Sequence, residues 1–249
     1  MQLQQFFQDN PRIAVAFSGG VDSSYLLYAA DAAGCHVHAY FIKSEFQLLF
    51  ELDEAISFAK SFDIPLTVEN YSVLGEQCIT ENTPDRCYQC KSKILKRLWC
   101  LASEDGFTVL CDGTNADDDE SDRPGMKALR EQGVISPLRE CGLGKDDIRF
   151  FSKQAGIPTH DKPAYACLAT RIPTGTEITG EFLERIERSE NALFKMGFSD
   201  FRVRLMRPDT ARIQMPDSQW TGVAAHREEI LKALNPYFDS IVLDMKTRG

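Results

Sequence analysis

The chain contains 249 residues, of which 43% are hydrophobic and 26% charged, so it is long and apolar enough to form one or two globular domains. Its net charge of −9 argues against a nucleic-acid partner, because nucleic-acid-binding proteins usually carry a basic balance or a basic stripe. No apolar run reaches the length of a membrane span, and residues 1–6 lack the basic and apolar regions of a signal peptide. We therefore expect a cytoplasmic protein with no membrane partner.

Residues 18–24, with the sequence SGGVDSS, lie between a strand predicted at 12–17 and a helical pattern. A glycine-rich turn in this position presents backbone N–H groups and the positive end of a helix to an anion, most often a phosphate. Gly19 and Gly20 let the backbone approach such a ligand closely. Asp22 adds a carboxylate to this anion site, which requires a cation, and Mg²⁺ bridging phosphate oxygens is the obvious candidate.

The stretch at 18–24 lacks the lysine of a Walker A loop and does not match the G-x-G-x-x-G pattern of dinucleotide-binding loops. It resembles the PP-loop, SGGxDS, of enzymes that cleave ATP to AMP and pyrophosphate and adenylate their substrates. The resemblance implies ATP and Mg²⁺ as cofactors. The alternative is a Ser/Gly turn that caps an ordinary helix.

Strands predicted at 37–42, 65–68 and 108–111 alternate with helical patterns along the first two thirds of the chain. This order indicates an α/β fold with a doubly wound parallel sheet and helices on both faces. Ser44 follows the second of the predicted strands and is expected to cap the next helix.

An acidic loop at 112–119, DGTNADDD, follows the fourth strand. Ligands of doubly wound folds bind at the carboxyl ends of strands, near a switch point. We therefore expect this loop and the glycine-rich stretch to hold the phosphates and a metal together. The alternative for residues 117–120 is a solvated acidic turn.

The pattern after residue 175 predicts a small α+β domain. A helix at 180–196 precedes a hairpin in which period-2 alternation puts Arg202 and Arg204 on one strand face. We place the domain boundary between residues 165 and 166, so that domain one covers 1–165 and domain two covers 166–249. The other elements predicted in domain two are a Thr179 helix cap, a helix at about 221–234 and a strand at 240–243.

The eight cysteines do not form a disulfide framework in a cytoplasmic protein. Cys87-x-x-Cys90 has the spacing of many metal and redox sites, but the spacing alone is ambiguous. A structural zinc ion needs four ligands, and the chain has no second C-x-x-C. Cys167 is the best third candidate, and three thiolates with one open position suit a [4Fe–4S] cluster. The alternative is a pair of cysteines that merely begin a helix.

A set of motifs spread over nearly the whole chain resembles the LarE family. The motifs are RCYQCK at 86–91, DGTN at 112–115, RPG at 123–125, SPL at 136–138, KPAYACLATRIP at 162–173, FRVR at 201–204 and ARI at 211–213. Members of this family are ATP-dependent sulfur transferases in the biosynthesis of the nickel-pincer nucleotide, the cofactor of lactate racemase. They adenylate a carboxylate of pyridinium-3,5-biscarboxylate mononucleotide and replace the activated oxygen with sulfur.

The family has two branches that differ in the source of the sulfur. In one branch a single cysteine, which corresponds to Cys167, donates its own sulfur and becomes dehydroalanine. In the other branch three cysteines hold a [4Fe–4S] cluster, and an extra sulfide on its free iron is transferred. Because this chain also has Cys87 and Cys90, it resembles the cluster-bearing branch.

The resemblance implies a role for each candidate residue of the active site. The catalytic residues are Cys87, Cys90, Cys167 and Asp22, with the three cysteines as cluster ligands and Asp22 as the Mg²⁺ ligand. The residues implied to bind ATP are Ser18, Gly19, Gly20, Asp22, Ser23, Ser24, Ser44 and Gly113. The two domains would then serve as a PP-loop ATP-binding domain and a sulfur-transfer and substrate domain.

The substrate is implied to be a small nucleotide, bound by side chains of the second domain. Arg202 and Arg204 would grip its phosphate through their guanidinium groups. Thr170 and Arg171 would orient the acyl-adenylate near the reactive cysteine. Glu190 matches a family residue near the site, and the alternative for it is a solvated helix glutamate.

One position departs from the family pattern, because Gln214 stands where the family usually has a glutamate. Two other functional classes remain open. The first is a PP-loop thiolase that acts on tRNA, against which the net charge of −9 argues. The second is a non-catalytic zinc- or nucleotide-binding module. Relatives in the LarE family form hexamers, so we expect a homo-oligomer.

Overall fold

A computed structural model of the chain describes residues 2–118, 124–163 and 165–247. Parts of three predicted motifs, namely residues 119–120, Arg123 and Ala164, lie outside the described residues. In chain order the elements are α1 (Leu3–Asp9), β1 (Arg12–Ala16), α2 (Val21–Ala32), β2 (His36–Lys43), α3 (Leu49–Ser61), β3 (Leu66–Asn70), α4 (Gln77–Thr80), α5 (Arg86–Glu104), β4 (Leu110–Asp112), α6 (Pro124–Glu131), α7 (Pro137–Glu140), α8 (Lys145–Gln154), α9 (Gly180–Lys195), β5 (Arg202–Arg207), β6 (Thr210–Gln214), α10 (Trp220–Ala225), α11 (Arg227–Leu234) and β7 (Ser240–Leu243).

The chain divides into two compact units. The first unit comprises Met1–Ser72 and Asp85–Ala164, and the second comprises Val73–Pro84 and Tyr165–Gly249. A short segment with α4 therefore leaves the first unit and packs with the C-terminal part of the chain. The assignment of ATP binding to one domain and of sulfur transfer to the other stays a prediction, as does the homo-oligomer.

The described strands of the first unit form a parallel sheet with the order β3-β2-β1-β4, which confirms the predicted α/β fold. Val15 pairs with Cys111 and Ala16 with Asp112, so β1 and β4 end side by side. The glycine-rich loop and the acidic loop therefore leave the sheet at neighbouring positions, where doubly wound folds bind their ligands.

Both faces of this sheet are buried. Ile13 and Val15 pack in a core with residues of α1, α2 and α8, whereas Ala14 packs in a second core with Tyr40 and Leu110. Successive side chains of a strand point to opposite faces, so a strand covered on both sides needs apolar residues throughout. This explains the unbroken apolar run of β1.

One predicted helix start in the first unit is wrong. Ser44 does not cap the next helix, because α3 begins only at Leu49. The Ser44 hydroxyl instead donates to Oε1 of Gln47 at 2.7 Å and accepts a hydrogen bond from the N–H of Phe46 at 3.2 Å. A tight turn held by these bonds separates β2 from α3, and Ser44 is buried within it.

The described strands of the second unit form a sheet with the order β5-β6-β7, in which β5 and β6 are antiparallel and β6 and β7 are parallel. The predicted hairpin and final strand are confirmed. Oγ1 of Thr179 accepts a hydrogen bond from the N–H of Phe182 at 3.2 Å, which confirms the predicted cap of α9.

The single helix predicted at about 221–234 is wrong, because the structure has two helices there. His226, with ψ of 17°, leaves the helical conformation and separates α10 from α11. No helix in the described ranges is long and apolar enough to cross a membrane.

His38 makes the stability of the first unit depend on pH. Burial lowers the pKa of its imidazole below the ordinary value of 6.5, since the ring stacks on Tyr40 with centroids 4.6 Å apart and Nε2 lies 2.8 Å from Oγ1 of Thr67. A group whose pKa is lower in the folded state stabilises the fold above its unfolded pKa, and that contribution is lost as the pH falls through the folded pKa.

We expect the free energy of unfolding to decrease as the pH falls below about 6.5, and the variant His38→Gln to weaken this decrease. Urea denaturation at successive pH values measures the effect. His160→Gln removes another partly buried histidine of the same unit and should keep the wild-type pH dependence. The same pH dependence in His38→Gln as in the wild type would contradict the prediction.

Candidate active site

The glycine-rich loop joins β1 to α2 in a conformation that requires glycine at one position. Gly19 has φ of +69°, and a Cβ there would lie 3.3 Å from the carbonyl oxygen of Glu51. Ser18 and Ser23 close the loop, since their hydroxyl oxygens are 3.0 Å apart and the N–H of Ser18 donates to Oγ of Ser23 at 3.3 Å. Gly20 is the extended N-cap of α2. The first-turn N–H groups of a helix have no intrahelical acceptor, which is the arrangement that phosphate binding requires.

Asp22 lies in the first turn of α2, and its two carboxylate oxygens have different surroundings. Oδ2 accepts a hydrogen bond from Nζ of Lys145 at 2.7 Å, whereas Oδ1 is buried and has no hydrogen-bond partner among the described residues. The hydroxyl of Ser24, one helical turn from Gly20, is likewise buried and has no partner in the part of the chain that the structure describes. A buried carboxylate oxygen without a partner is costly, and carboxylate oxygens are ligands that Mg²⁺ prefers. The residues at this helix end therefore fit a Mg²⁺ ion.

The loop after β4 packs directly against the start of α2. A Cβ on Gly113 would lie 2.7 Å from the backbone N and 2.9 Å from Cα of Ser23, so no side chain fits there. The preceding Asp112 is buried and accepts hydrogen bonds from the hydroxyls of Thr114 at 2.6 Å and Ser136 at 2.7 Å. Gly113 thus brings two loops into backbone contact.

The acidic residues described in this loop are engaged in structural hydrogen bonds. Oδ2 of Asp118 accepts from the N–H of Asn115 at 3.0 Å, and Oδ2 of Asp117 accepts from the N–H of Lys145 at 2.6 Å. Asp117 therefore caps the start of α8. The prediction that this loop helps to hold phosphates and a metal stays a prediction, and its last residue, Asp119, lies outside the described residues.

Two lysines that the motif analysis missed contact the glycine-rich stretch. Lys145 pairs with Asp22, and Nζ of Lys162 donates to the carbonyl oxygen of Gly19 at 3.0 Å and pairs with Glu54 at 2.5 Å. Lys162 begins the predicted motif at 162–173, and Lys145 belongs to none of the predicted motifs. No local pattern indicated either contact, because the partners are 123 and 143 residues apart in the chain.

Cys87 and Cys90 lie one turn apart at the start of α5, so they are on the same side of the helix. Cys87 is exposed and accepts a weak hydrogen bond from Nη2 of Arg86 at 3.5 Å, and Cys90 is partly buried. All eight cysteines are described, and no disulfide joins any of them. Within the described residues, no group of three or more His, Cys, Asp and Glu side chains is arranged to hold a metal ion.

Cys167 immediately precedes a 3-10 turn at Leu168–Arg171, and a buried ion pair fixes the backbone around it. Arg171 binds Glu190 through two bonds, Nε to Oε1 at 2.9 Å and Nη2 to Oε2 at 3.1 Å, with both side chains almost fully buried. Nη1 of Arg171 also donates to the carbonyl oxygen of Ala166 at 2.7 Å. The alternative of a solvated Glu190 is therefore wrong, and the predicted contact of either residue with the substrate stays a prediction.

The chain after this turn is held by Asn82, from the short segment that joins the second unit. The Asn82 side chain is fully buried, and Nδ2 donates to the carbonyl oxygens of Pro173 at 2.8 Å and Thr176 at 2.9 Å. The backbone carbonyl oxygen of Asn82 accepts a hydrogen bond from the N–H of Gly175 at 2.9 Å. The segment at 73–84 therefore positions the loop that follows Cys167.

Arg202 and Arg204 lie on the same face of β5, but their surroundings differ. Arg202 is buried, with its guanidinium carbon 5.1 Å from the ring centroid of Tyr165. Arg204 is partly exposed, and its guanidinium donates to the carbonyl oxygen of Thr170 at 2.5 Å and to Oε1 of Gln214. Arg204 therefore links β5 to the turn that follows Cys167.

The side chain of Gln214 forms hydrogen bonds with one cationic and one anionic side chain of the second unit. Its Oε1 accepts from Arg204, and its Nε2 donates to Oδ2 of Asp244 at 2.7 Å. The N–H of Lys246 and then this amide hold the pKa of Asp244 below its usual value. A glutamate at 214 has no donor for Asp244, so the departure from the family pattern matches the local hydrogen bonding.

No profile of a known protein family matches the chain, but individual relatives do. The chain is 31% identical over 241 residues to the pyridinium-3,5-bisthiocarboxylic acid mononucleotide synthase of Lactiplantibacillus plantarum. This alignment covers 96% of the chain and 87% of that enzyme. The chain belongs to the LarE family. An uncharacterised protein of Synechocystis sp. is 38% identical over 218 residues, covering 87% of this LarE chain and 81% of that protein.

A more distant relative supports the fold and the class of reaction. The tRNA-specific 2-thiouridylase of Pseudothermotoga lettingae is 29% identical over an alignment of 187 residues, which covers 61% of the chain and 54% of that enzyme. The match thus spans about half of the thiouridylase. This LarE protein has the PP-loop α/β fold and is an ATP-dependent sulfur-transferring enzyme, as predicted.

The close contact at Gly113 is expected to make the stability of this LarE protein sensitive to a side chain at this position. Gly113→Ala should lower the free energy of unfolding by about 1–3 kcal/mol, because the added methyl group must displace the backbone of Ser23. Urea denaturation measures this change. Gly75→Ala is the control, since a Cβ at Gly75 has no atom of the described residues within 4 Å. Equal midpoints for the two variants would contradict the prediction.

The buried ion pair beside Cys167 gives a second prediction for this LarE protein. Glu190→Gln leaves the Arg171 guanidinium buried without a charged partner and should lower the free energy of unfolding by about 3–5 kcal/mol. The control is Glu184→Gln on the same helix, which breaks an exposed pair with Arg188 and should change stability little. Similar denaturation midpoints for Glu190→Gln and Glu184→Gln would refute the argument.

Proposed function

We propose that this protein adenylates the carboxylates of pyridinium-3,5-biscarboxylate mononucleotide and converts them to thiocarboxylates, in the biosynthesis of the nickel-pincer nucleotide. The observation that carries the proposal is the 31% identity, over 96% of the chain, to a pyridinium-3,5-bisthiocarboxylic acid mononucleotide synthase. The glycine-rich loop and Asp22 support it, because they form the helix-end arrangement that suits a Mg²⁺-bound phosphate chain.

The reaction needs ATP because a carboxylate is a poor acyl donor, whose leaving group would be oxide. In the first step a carboxylate oxygen attacks the α-phosphorus of ATP, the bond to the β-phosphate bridging oxygen breaks, and pyrophosphate leaves. In the second step a sulfur nucleophile attacks the carbonyl carbon, and AMP leaves with one former carboxylate oxygen. The N–H groups at the start of α2 would bind the phosphate oxygens, and Mg²⁺ on Asp22 would stabilise their charge.

The second unit would bind the substrate nucleotide. Arg204, which is partly exposed, is suited to contact the substrate phosphate directly, and Arg202 would support it from the same strand face. Thr170 would orient the acyl-adenylate. Arg171 and Glu190 would act mainly by holding the backbone beside Cys167.

The proposed sulfur carrier is a [4Fe–4S] cluster held by the thiolates of Cys87, Cys90 and Cys167. The position of two thiols one turn apart on α5 supports this, as does the third thiol at the start of a short turn. When bound, such a cluster would supply sulfide to the activated carbonyl. The alternative is that Cys167 donates its own sulfur and becomes dehydroalanine.

Anaerobic assays with ATP, Mg²⁺, sulfide and the biscarboxylate nucleotide test the proposal. We expect AMP, pyrophosphate and a product with oxygen replaced by sulfur, over many turnovers, from brown protein with about four irons per chain. Cys87→Ala and Cys90→Ala should abolish repeated turnover, whereas Cys100→Ala, at an exposed cysteine later on α5, should not.

Two outcomes would overturn parts of this account. If Cys87→Ala and Cys90→Ala keep a single turnover and Cys167 loses the mass of H₂S, the cluster proposal fails and the sacrificial mechanism stands. If the wild type forms no pyrophosphate with the nucleotide but shifts tRNA in a salt-dependent gel assay, the protein is a tRNA thiolase, the class to which the Pseudothermotoga relative belongs by name.

A further inference from the structure

The phosphate-binding loop has no cation of its own. Residues 18–24 contain no lysine or arginine, whereas a Walker A loop carries a lysine that reaches the phosphates. The negative charge of ATP therefore has to be balanced by Mg²⁺ and by side chains from elsewhere in the chain. Among the described residues of the first unit, Lys145 and Lys162 contact this stretch and are candidates for that role.

The two lysines have different partners. Nζ of Lys162 already pairs with Glu54 at 2.5 Å and donates to the carbonyl of Gly19, and its side chain is only 12% exposed. Lys145 is 31% exposed, and its ammonium contacts Oδ2 of Asp22 at 2.7 Å, at the helix end where the phosphates would bind. An ammonium has three N–H donors, so Lys145 can bind further acceptors while it remains near Asp22.

The backbone of Lys145 is fixed by the loop after β4. Its N–H donates to Oδ2 of Asp117 at 2.6 Å, and the N–H of Ala116 donates to the carbonyl of Leu143 at 2.8 Å. A Cβ at Gly144 would lie 2.7 Å from Oδ2 of Asp117, so the two segments are in tight contact. Lys145 is therefore held in place before any ligand binds, as electrostatic stabilisation of a reaction requires.

We propose that Lys145 is a catalytic residue of the ATP half-reaction, which binds the phosphate chain of ATP and stabilises the pyrophosphate as it leaves. The inference rests on the proposed function. Without nucleotide, Lys145 balances the charge of Asp22; with Mg²⁺ and ATP present, Asp22 turns to the metal and Lys145 to the phosphate oxygens. Each charge keeps a partner in both states, and Lys145 transfers no proton.

Equilibrium binding of ATP, measured by calorimetry with excess Mg²⁺ and again with EDTA, tests the proposal. Lys145→Met should raise the Kd about tenfold to a hundredfold in both conditions, because one charge-assisted hydrogen bond to phosphate is lost. Lys145→Gln, whose amide can still donate a hydrogen bond to Asp22, should raise the Kd for ATP by a similar factor. This variant replaces Lys145→Met in the test if Lys145→Met does not fold. Lys153→Met, at an exposed position of the same helix, is the control and should bind ATP as the wild type does.

A double variant separates phosphate binding from simple neutralisation of Asp22. Asp22→Asn should remove most of the difference between the Kd for ATP measured with Mg²⁺ and the Kd measured with EDTA. Addition of Lys145→Met to Asp22→Asn should weaken ATP binding about tenfold further. If the double variant binds ATP as Asp22→Asn does, or if Lys145→Met binds as the wild type does, Lys145 does not contact the phosphates and the inference fails. If the wild type itself binds no ATP, the proposed function fails instead.

Discussion

The close contact between Gly113 and the start of α2 is the constraint on which the first unit depends. Because β1 and β4 are neighbours in a parallel sheet, their loops emerge together, and the contact at Ser23 leaves no space for a side chain at Gly113. The same loop continues to Asp117, which caps α8 and thereby fixes Lys145. The sheet order, the glycine-rich turn and Lys145 are thus parts of one rigid arrangement.

Features that depend on neighbouring residues could be predicted from the sequence. The strand, glycine turn and helix around Ser18–Ser24 appear as expected, and so does the parallel sheet, because alternation of strands and helices leaves few other folds. The contacts of Lys145 could not be predicted, since its partner Asp22 is 123 residues away and the pairing exists only through the order of the strands. The predicted helix cap at Ser44 is wrong because its hydroxyl donates a hydrogen bond to Gln47 within a turn and does not accept one from the start of a helix.

The sequence of α9 contains a pattern that indicates the burial of Glu190. Leu183, Ile186 and Leu193 form the buried stripe of α9, and Glu190 falls on that stripe at helical spacing. A carboxylate on an apolar stripe needs a buried cation, which the structure supplies as Arg171. Arg171 also donates a hydrogen bond to the carbonyl oxygen of Ala166, so the pair fixes the backbone beside Cys167. Such fixed geometry is what a transfer between two reactants requires.

The central claim is that ATP activates a carboxylate by adenylation before sulfur is transferred. The most direct measurement is a reaction with substrate whose carboxylates carry heavy oxygen, followed by mass spectrometry of the nucleotide products. The account predicts that one heavy oxygen per sulfur inserted appears in the phosphate of AMP, because the carboxylate oxygen leaves with it. Heavy oxygen in inorganic phosphate with ADP as the coproduct, or AMP without label, would contradict it.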